Sequence, residues 1–71
     1  MGNNYIWRSV NECKPSDYRL CLVWIPKNKT IELCVWNARH HCWDDSDGDD
    51  IIPYSRDVTH WIDAPLPPTE E

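Results

Sequence analysis

Two apolar runs set the frame of this chain. Leu20 to Ile25 is continuously apolar, and Thr30 to Trp36 alternates apolar and polar residues. Pro26-Lys27-Asn28-Lys29 separates them, and turn residues between two such runs predict a β-hairpin. Centring the turn on Lys27-Asn28 pairs Leu20 with Val35, Leu22 with Leu33 and Trp24 with Ile31. These six large apolar residues are therefore the expected core face. The other face carries Cys21, Val23, Ile25, Thr30, Glu32, Cys34 and Trp36. A slip of one residue would exchange the two faces and bury Glu32, so the first assignment is preferred.

The flanking segments are shorter. Tyr5 to Val10 alternates Tyr5 and Trp7 against Ile6 and Arg8, as in a short strand. Residues 1–4 read as a frayed end. Pro15-Ser16-Asp17 marks a turn, with room for one helical turn over 13–18. Cys42-Trp43 extends the pattern to a third hairpin strand. Asp44 to Asp50 holds five aspartates and Gly48, too charged a turn for burial. Val58 to Ile62 reads as a final strand in which Trp61 closes the core, and 63–71 is a proline-rich extended tail. The expected fold is one small, curled antiparallel sheet of four to five strands, all-β or β-rich α+β, over residues 5–62. It has at most one short helical turn.

With 71 residues, little surface can be buried, and small domains need a compensating device. Five tryptophans and three tyrosines supply it, since each buried aromatic removes about 150–250 Å² from water. Trp7, Trp61 and His60 join the hairpin residues as expected core.

The net charge of −5 excludes a basic face for phosphate neutralisation, so direct nucleic-acid binding is not expected. It suits a protein partner with a basic surface. No apolar stretch approaches the ~20 residues of a membrane span. Met1-Gly2-Asn3-Asn4 has no leader-like pattern, so the expected location is a cytoplasm in which thiols stay reduced.

Candidate chemistry is sparse. Cys13, Cys21, Cys34 and Cys42 are an even set, and the hairpin register places Cys21 and Cys34 directly opposite, as a candidate cross-strand pair. In a reducing compartment the plainer reading is buried free thiols. Four cysteines with His40, His41 and His60 could staple the chain through zinc, giving a structural or regulatory module, although no paired Cys-x-x-Cys spacing is present. The aspartate turn fails as a calcium loop: with Gly48 at position six, Trp43 and Tyr54 fall where an Asp and a Glu belong. No nucleophile elbow or phosphate loop occurs. A non-catalytic chain without cofactor is expected, with Trp36, Trp43, Asp44, Asp45, Asp47, Asp49 and Asp50 as candidate partner-binding residues.

The two ends carry a resemblance. Trp7-Arg8-Ser9-Val10-Asn11-Glu12-Cys13-Lys14-Pro15 resembles an opening Trp-Ile-x-Val-x-Glu-x-Leu-Pro. Val58-Thr59-His60-Trp61-Ile62-Asp63-Ala64-Pro65-Leu66-Pro67-Pro68 resembles a closing Val-Thr-His-Trp-Met-x-Leu-Pro-x-Pro-Pro. Together they look like the small phage and prophage domain of unknown function 551. Arg8, Lys14 and Ala64 depart from the pattern, and the middle of the chain matches poorly. The resemblance implies a phage or prophage accessory protein in the host cytoplasm. The resemblance implies no activity; binding of a host or phage macromolecule, most concretely as an acidic inhibitor of a host defence system or nuclease, is what the aspartate turn suggests, since it could compete for a basic nucleic-acid-binding surface. The resemblance carries over no catalytic residue and makes His60 structural.

Overall fold

A computed structural model describes residues 6–65. The expected frayed N-terminus at 1–4 and the tail beyond Pro65 lie outside the described residues, as does Tyr5.

Five strands form one antiparallel sheet: β1 (Arg8–Ser9), β2 (Leu20–Ile25), β3 (Thr30–Asn37), β4 (Cys42–Asp45) and β5 (His60–Asp63). Their order in the sheet is β1-β5-β2-β3-β4. The helical turn lies at Ser55–Asp57, not at 13–18. There Ser55 Oγ accepts the backbone N–H of Trp43 at 2.8 Å, which ties the turn to the outer side of β4.

The β2–β3 hairpin has the register expected from its turn. Leu20 faces Val35, Cys21 faces Cys34, Leu22 faces Leu33 and Trp24 faces Ile31. Lys29 closes the turn with φ 56°, and its N–H donates to Pro26 O.

The core lies on the opposite side of that hairpin from the expected one. Cys21, Val23, Ile25 and Cys34 are buried, and they pack with Trp36, Trp43, Ile52, Val58 and Trp61. The expected core residues Ile31 and Leu33 are 55% and 45% exposed, and Leu20, Leu22 and Trp24 are half-buried. Trp7 is 36% exposed, so it too leaves the core. His60 is half-buried, whereas Val35 and Trp61 are buried.

Side-chain volume explains the inversion. Trp36 sits across from Trp43 on β4, and Trp61 sits across from Val23 on β5. Three indoles crowd one side of a narrow sheet, so the residues beneath them must be small. Two cysteines and a valine fill that space at close-packed density. Trp36 and Trp43 meet edge-on, with centroids 5.0 Å apart. Trp61 Nε1 donates to Cys13 O at 3.0 Å, which anchors the loop between β1 and β2. Arg8 lies over the Trp61 ring at 5.4 Å from its centroid. Burying all three indoles favours this side by several kcal/mol over an isolated Leu or Ile on the other.

Candidate protein-interaction surface

Along β2 and along β3 from Ile31 to Val35 the second face of the sheet is apolar, but it is covered over only part of that length. At the Leu20–Val35 end, Tyr18 and the aspartate turn lie over it. Gly48, at φ 78°, brings that turn so close that a Cβ there would sit 3.4 Å from Tyr18 Cε1 and 3.9 Å from Val35 Cγ2. Val35 is accordingly 6% exposed.

At the other end the cover stops. Trp24 pairs with Ile31 on one side and with His60 on the other, so the three form one row across β5, β2 and β3. Ile62, Leu22 and Leu33 form the next row in the same way. Trp7, just before β1, joins Trp24, Ile31 and His60 around a shallow cleft of about 440 Å³. Among the described residues His60 is the one titratable side chain there, and its Nδ1 shares a hydrogen bond with Thr59 Oγ1 at 2.9 Å. The cleft therefore offers apolar contact and little polar chemistry.

Acidic groups stand beside this surface, on the opposite face of the β3 edge and in the turn at its covered end. Glu32, exposed, shares the face of Val23, and Asp45 stands directly opposite Cys34 on that same face. Asp45 organises the turn that follows it. Its Oδ1 accepts the backbone N–H groups of Asp47 and Asp49, each at 3.1 Å, and its carbonyl accepts that of Gly48 at 2.9 Å. Asp47, Asp49 and Asp50 are exposed.

The candidate partner-binding residues separate into two groups. Trp36 and Trp43 are 4% and 2% exposed, so they are core and present no contact surface. Asp44, 5% exposed, is also removed from the surface. Its Oδ2 accepts Asn37 Nδ2 at 3.0 Å and its Oδ1 accepts the Cys42 thiol at 3.4 Å. Asn37 Oδ1 in turn accepts His40 N–H, so a buried polar network closes the β3–β4 turn. Buried charge is tolerated when its oxygens are satisfied in this way. Asp45 is half-buried in its turn, and Asp47, Asp49 and Asp50 remain available.

All four cysteines are free thiols: Cys13 exposed, Cys21 and Cys34 buried, Cys42 half-buried. Burial, with Asp63 adding to it and Arg19 opposing, pushes the Cys21 thiol up to about 12. Burial, then Glu32, Cys21 and Asp45, pushes Cys34 up to about 12. Burial and the bond to Asp44 also raise Cys42. Among the described residues no group of three or more His, Cys, Asp or Glu side chains is placed to hold a metal ion, so the zinc-stapled arrangement finds no gathered ligand set. No helix among them is long and apolar enough to cross a membrane.

Compared with known protein families, curated proteins and solved structures, the chain matches none.

The apolar surface was missed because its residues read as core. One signal could have found it. Trp36 continues the Cys21–Cys34 face, and a tryptophan in line with small residues marks the side where volume is needed.

Proposed function

We propose that this chain is a non-catalytic protein-interaction module that docks through the open half of its second sheet face. One observation carries the reading: Ile31 and Leu33, at 55% and 45% exposure, stand in rows with Trp24 and Leu22 beside Trp7. Scattered apolar residues on a surface are ordinary, but a contiguous row of this kind marks a binding site. The exposed aspartates of the turn over its Val35 end, Asp47, Asp49 and Asp50, favour a partner with a basic surface. Within this class, an accessory protein of phage or prophage origin that inhibits a host defence system or nuclease is the concrete version. The two end segments quoted above support the phage or prophage origin alone, and the aspartate turn, which could compete with phosphate for a basic surface, supports the inhibitor role.

The test is affinity capture from an extract of the cells that carry the protein, using wild type, Leu33→Asp, and a triple Asn variant of Asp47, Asp49 and Asp50. Capture of a defined partner should be lost with Leu33→Asp. It should become less salt-sensitive with the triple variant, as expected for exposed charges. Equal capture by a folded Leu33→Asp protein would sink the reading.

A further inference from the structure

β3 is longer than its outer neighbour. β4 pairs with Cys34–Asn37 only, so Thr30–Leu33 has β2 on one side and no strand on the other among the described residues. Ile31, Glu32 and Leu33 are consecutive and all exposed, as befits an open edge. The direction of the backbone groups follows from the ladder. Trp36 N donates to Arg19 O, and Trp36 O accepts Tyr18 N, so Trp36 is turned towards β2. Peptide groups alternate along a strand. Cys34, Glu32 and Thr30 therefore also turn to β2, and Ile31 and Leu33 turn to the open side. Such an edge is a template for another strand.

We propose that an extended segment of a partner protein, with alternating apolar and basic residues, adds to the sheet along Thr30–Leu33. This rests on the protein-binding reading above and names the partner's local chemistry. The added strand would run in the line of β4. Its residues on the second face would extend the rows Trp24–Ile31 and Leu22–Leu33, so they should be apolar. Its residue opposite Glu32 would project to the other face, in line with Asp45 and two positions from it, about 7 Å along the strand. A lysine or arginine there would meet a carboxylate across the strand and another along it. Charge complementarity thus selects the occupant. A second copy pairing about a two-fold axis at Glu32 would set two Glu32 carboxylates against each other, and like charges directly opposite destabilise a sheet. Each copy also carries a net charge of −5.

The probe is a capped peptide Val-Lys-Val-Lys-Val, with Val-Glu-Val-Glu-Val as control. Both are titrated into the full-length chain and followed by amide NMR and hydrogen exchange. The lysine peptide should slow exchange at the Ile31 and Leu33 amides. The glutamate peptide should bind roughly fivefold or more weakly, the difference expected when exposed ion pairs are reversed. Ile31→Pro removes the outward N–H without touching the β2 ladder, an edge position that proline tolerates. It should abolish the protection while the amide spectrum of the rest of the sheet stays in place. Glu32→Lys should reverse the peptide preference and serves as the second variant.

Binding that survives Ile31→Pro and falls with Leu33→Ala would overturn edge addition, yet leave docking by the apolar face standing. Protection at Ile31 that rises with protein concentration alone would make the occupant a second copy and overturn the partner proposed here. Failure of the lysine peptide to protect the edge at millimolar concentration would overturn it as well. None of these results depends on capture from an extract, so the two readings fail separately.

Discussion

Val23 and Glu32 stand directly opposite each other across β2 and β3, and one is wholly buried while the other is exposed. They share a face of the sheet, so burial here changes across one strand spacing. The core is centred over β5, β2 and the Asn37 end of β3, where Trp61, Trp36 and Trp43 lie, and it has run out by Glu32. Val23→Ala should then cost about 2 kcal/mol, within the range for removing buried methyl groups. Leu33→Ala, on the open face, should cost under about 0.5 kcal/mol. Urea unfolding of the two variants checks this. Equal losses would contradict the placement of the core.

The buried thiols make stability sensitive to alkali. Cys21 and Cys34 titrate near the ordinary 9.0 when unfolded and near 12 when folded. The fold therefore prefers the protonated form. That preference contributes fully below about pH 9 and is lost as pH rises from about 9 through about 12. A Cys21→Ala, Cys34→Ala double variant should start less stable and decline less steeply over that window. Thermal unfolding at a series of pH values measures both.

The same burial governs reactivity, because the thiolate is the nucleophile. With an excess of alkylating reagent at neutral pH, Cys13 should label within minutes, Cys42 more slowly, and Cys21 and Cys34 only on unfolding. Mass mapping of the labelled protein decides. Prompt labelling of Cys34 in folded protein would show that the core opens there.

Among the described residues Asp44 is the one buried carboxylate, and it lies on the second face opposite Val35. Asp44→Ala leaves Asn37 Nδ2 with only its longer contact to His40 Nδ1, at 3.3 Å, and removes the acceptor of the Cys42 thiol. The expected loss is about 1–3 kcal/mol, the cost of leaving buried polar groups unpaired. Asp47→Ala, in the exposed part of the same turn, should change stability by under about 0.5 kcal/mol. Calorimetry of the pair separates the structural aspartate from the solvated one.

Gly48 holds the aspartate turn against Tyr18 and Val35 at φ 78°. Gly48→Ala places a side chain in the left-handed region, at a cost of about 1 kcal/mol. It should also loosen the cover over Val35, which amide exchange at that residue would report.

The hairpin was legible in the sequence because its turn chemistry is local. Pro26-Lys27-Asn28-Lys29 sets the register without reference to the rest of the chain. The choice of face was not local. Glu32 signalled solvent correctly for itself but wrongly for its face, because Val23 opposite it lies under the indole of Trp61. Trp36 and Trp43 read as candidate surface because one lies on the mixed hairpin face and the other beside the acidic turn, and their mutual contact appears only once β3 and β4 pair. Asp44 was grouped with its exposed neighbours because charge pattern alone does not reveal the Asn37 amide waiting to receive it.

β5 is the latest strand in chain order, yet it occupies the second place in the sheet, with β1 on one side and β2 on the other. β2, β3 and β4 are linked by short connections and can meet as soon as they exist. β1 has no neighbour until His60 and Trp61 arrive. Contacts that span so much chain form slowly, after local ones have reduced the search. On the ribosome, the first strand made is consequently the last to be seated, once β5 has docked.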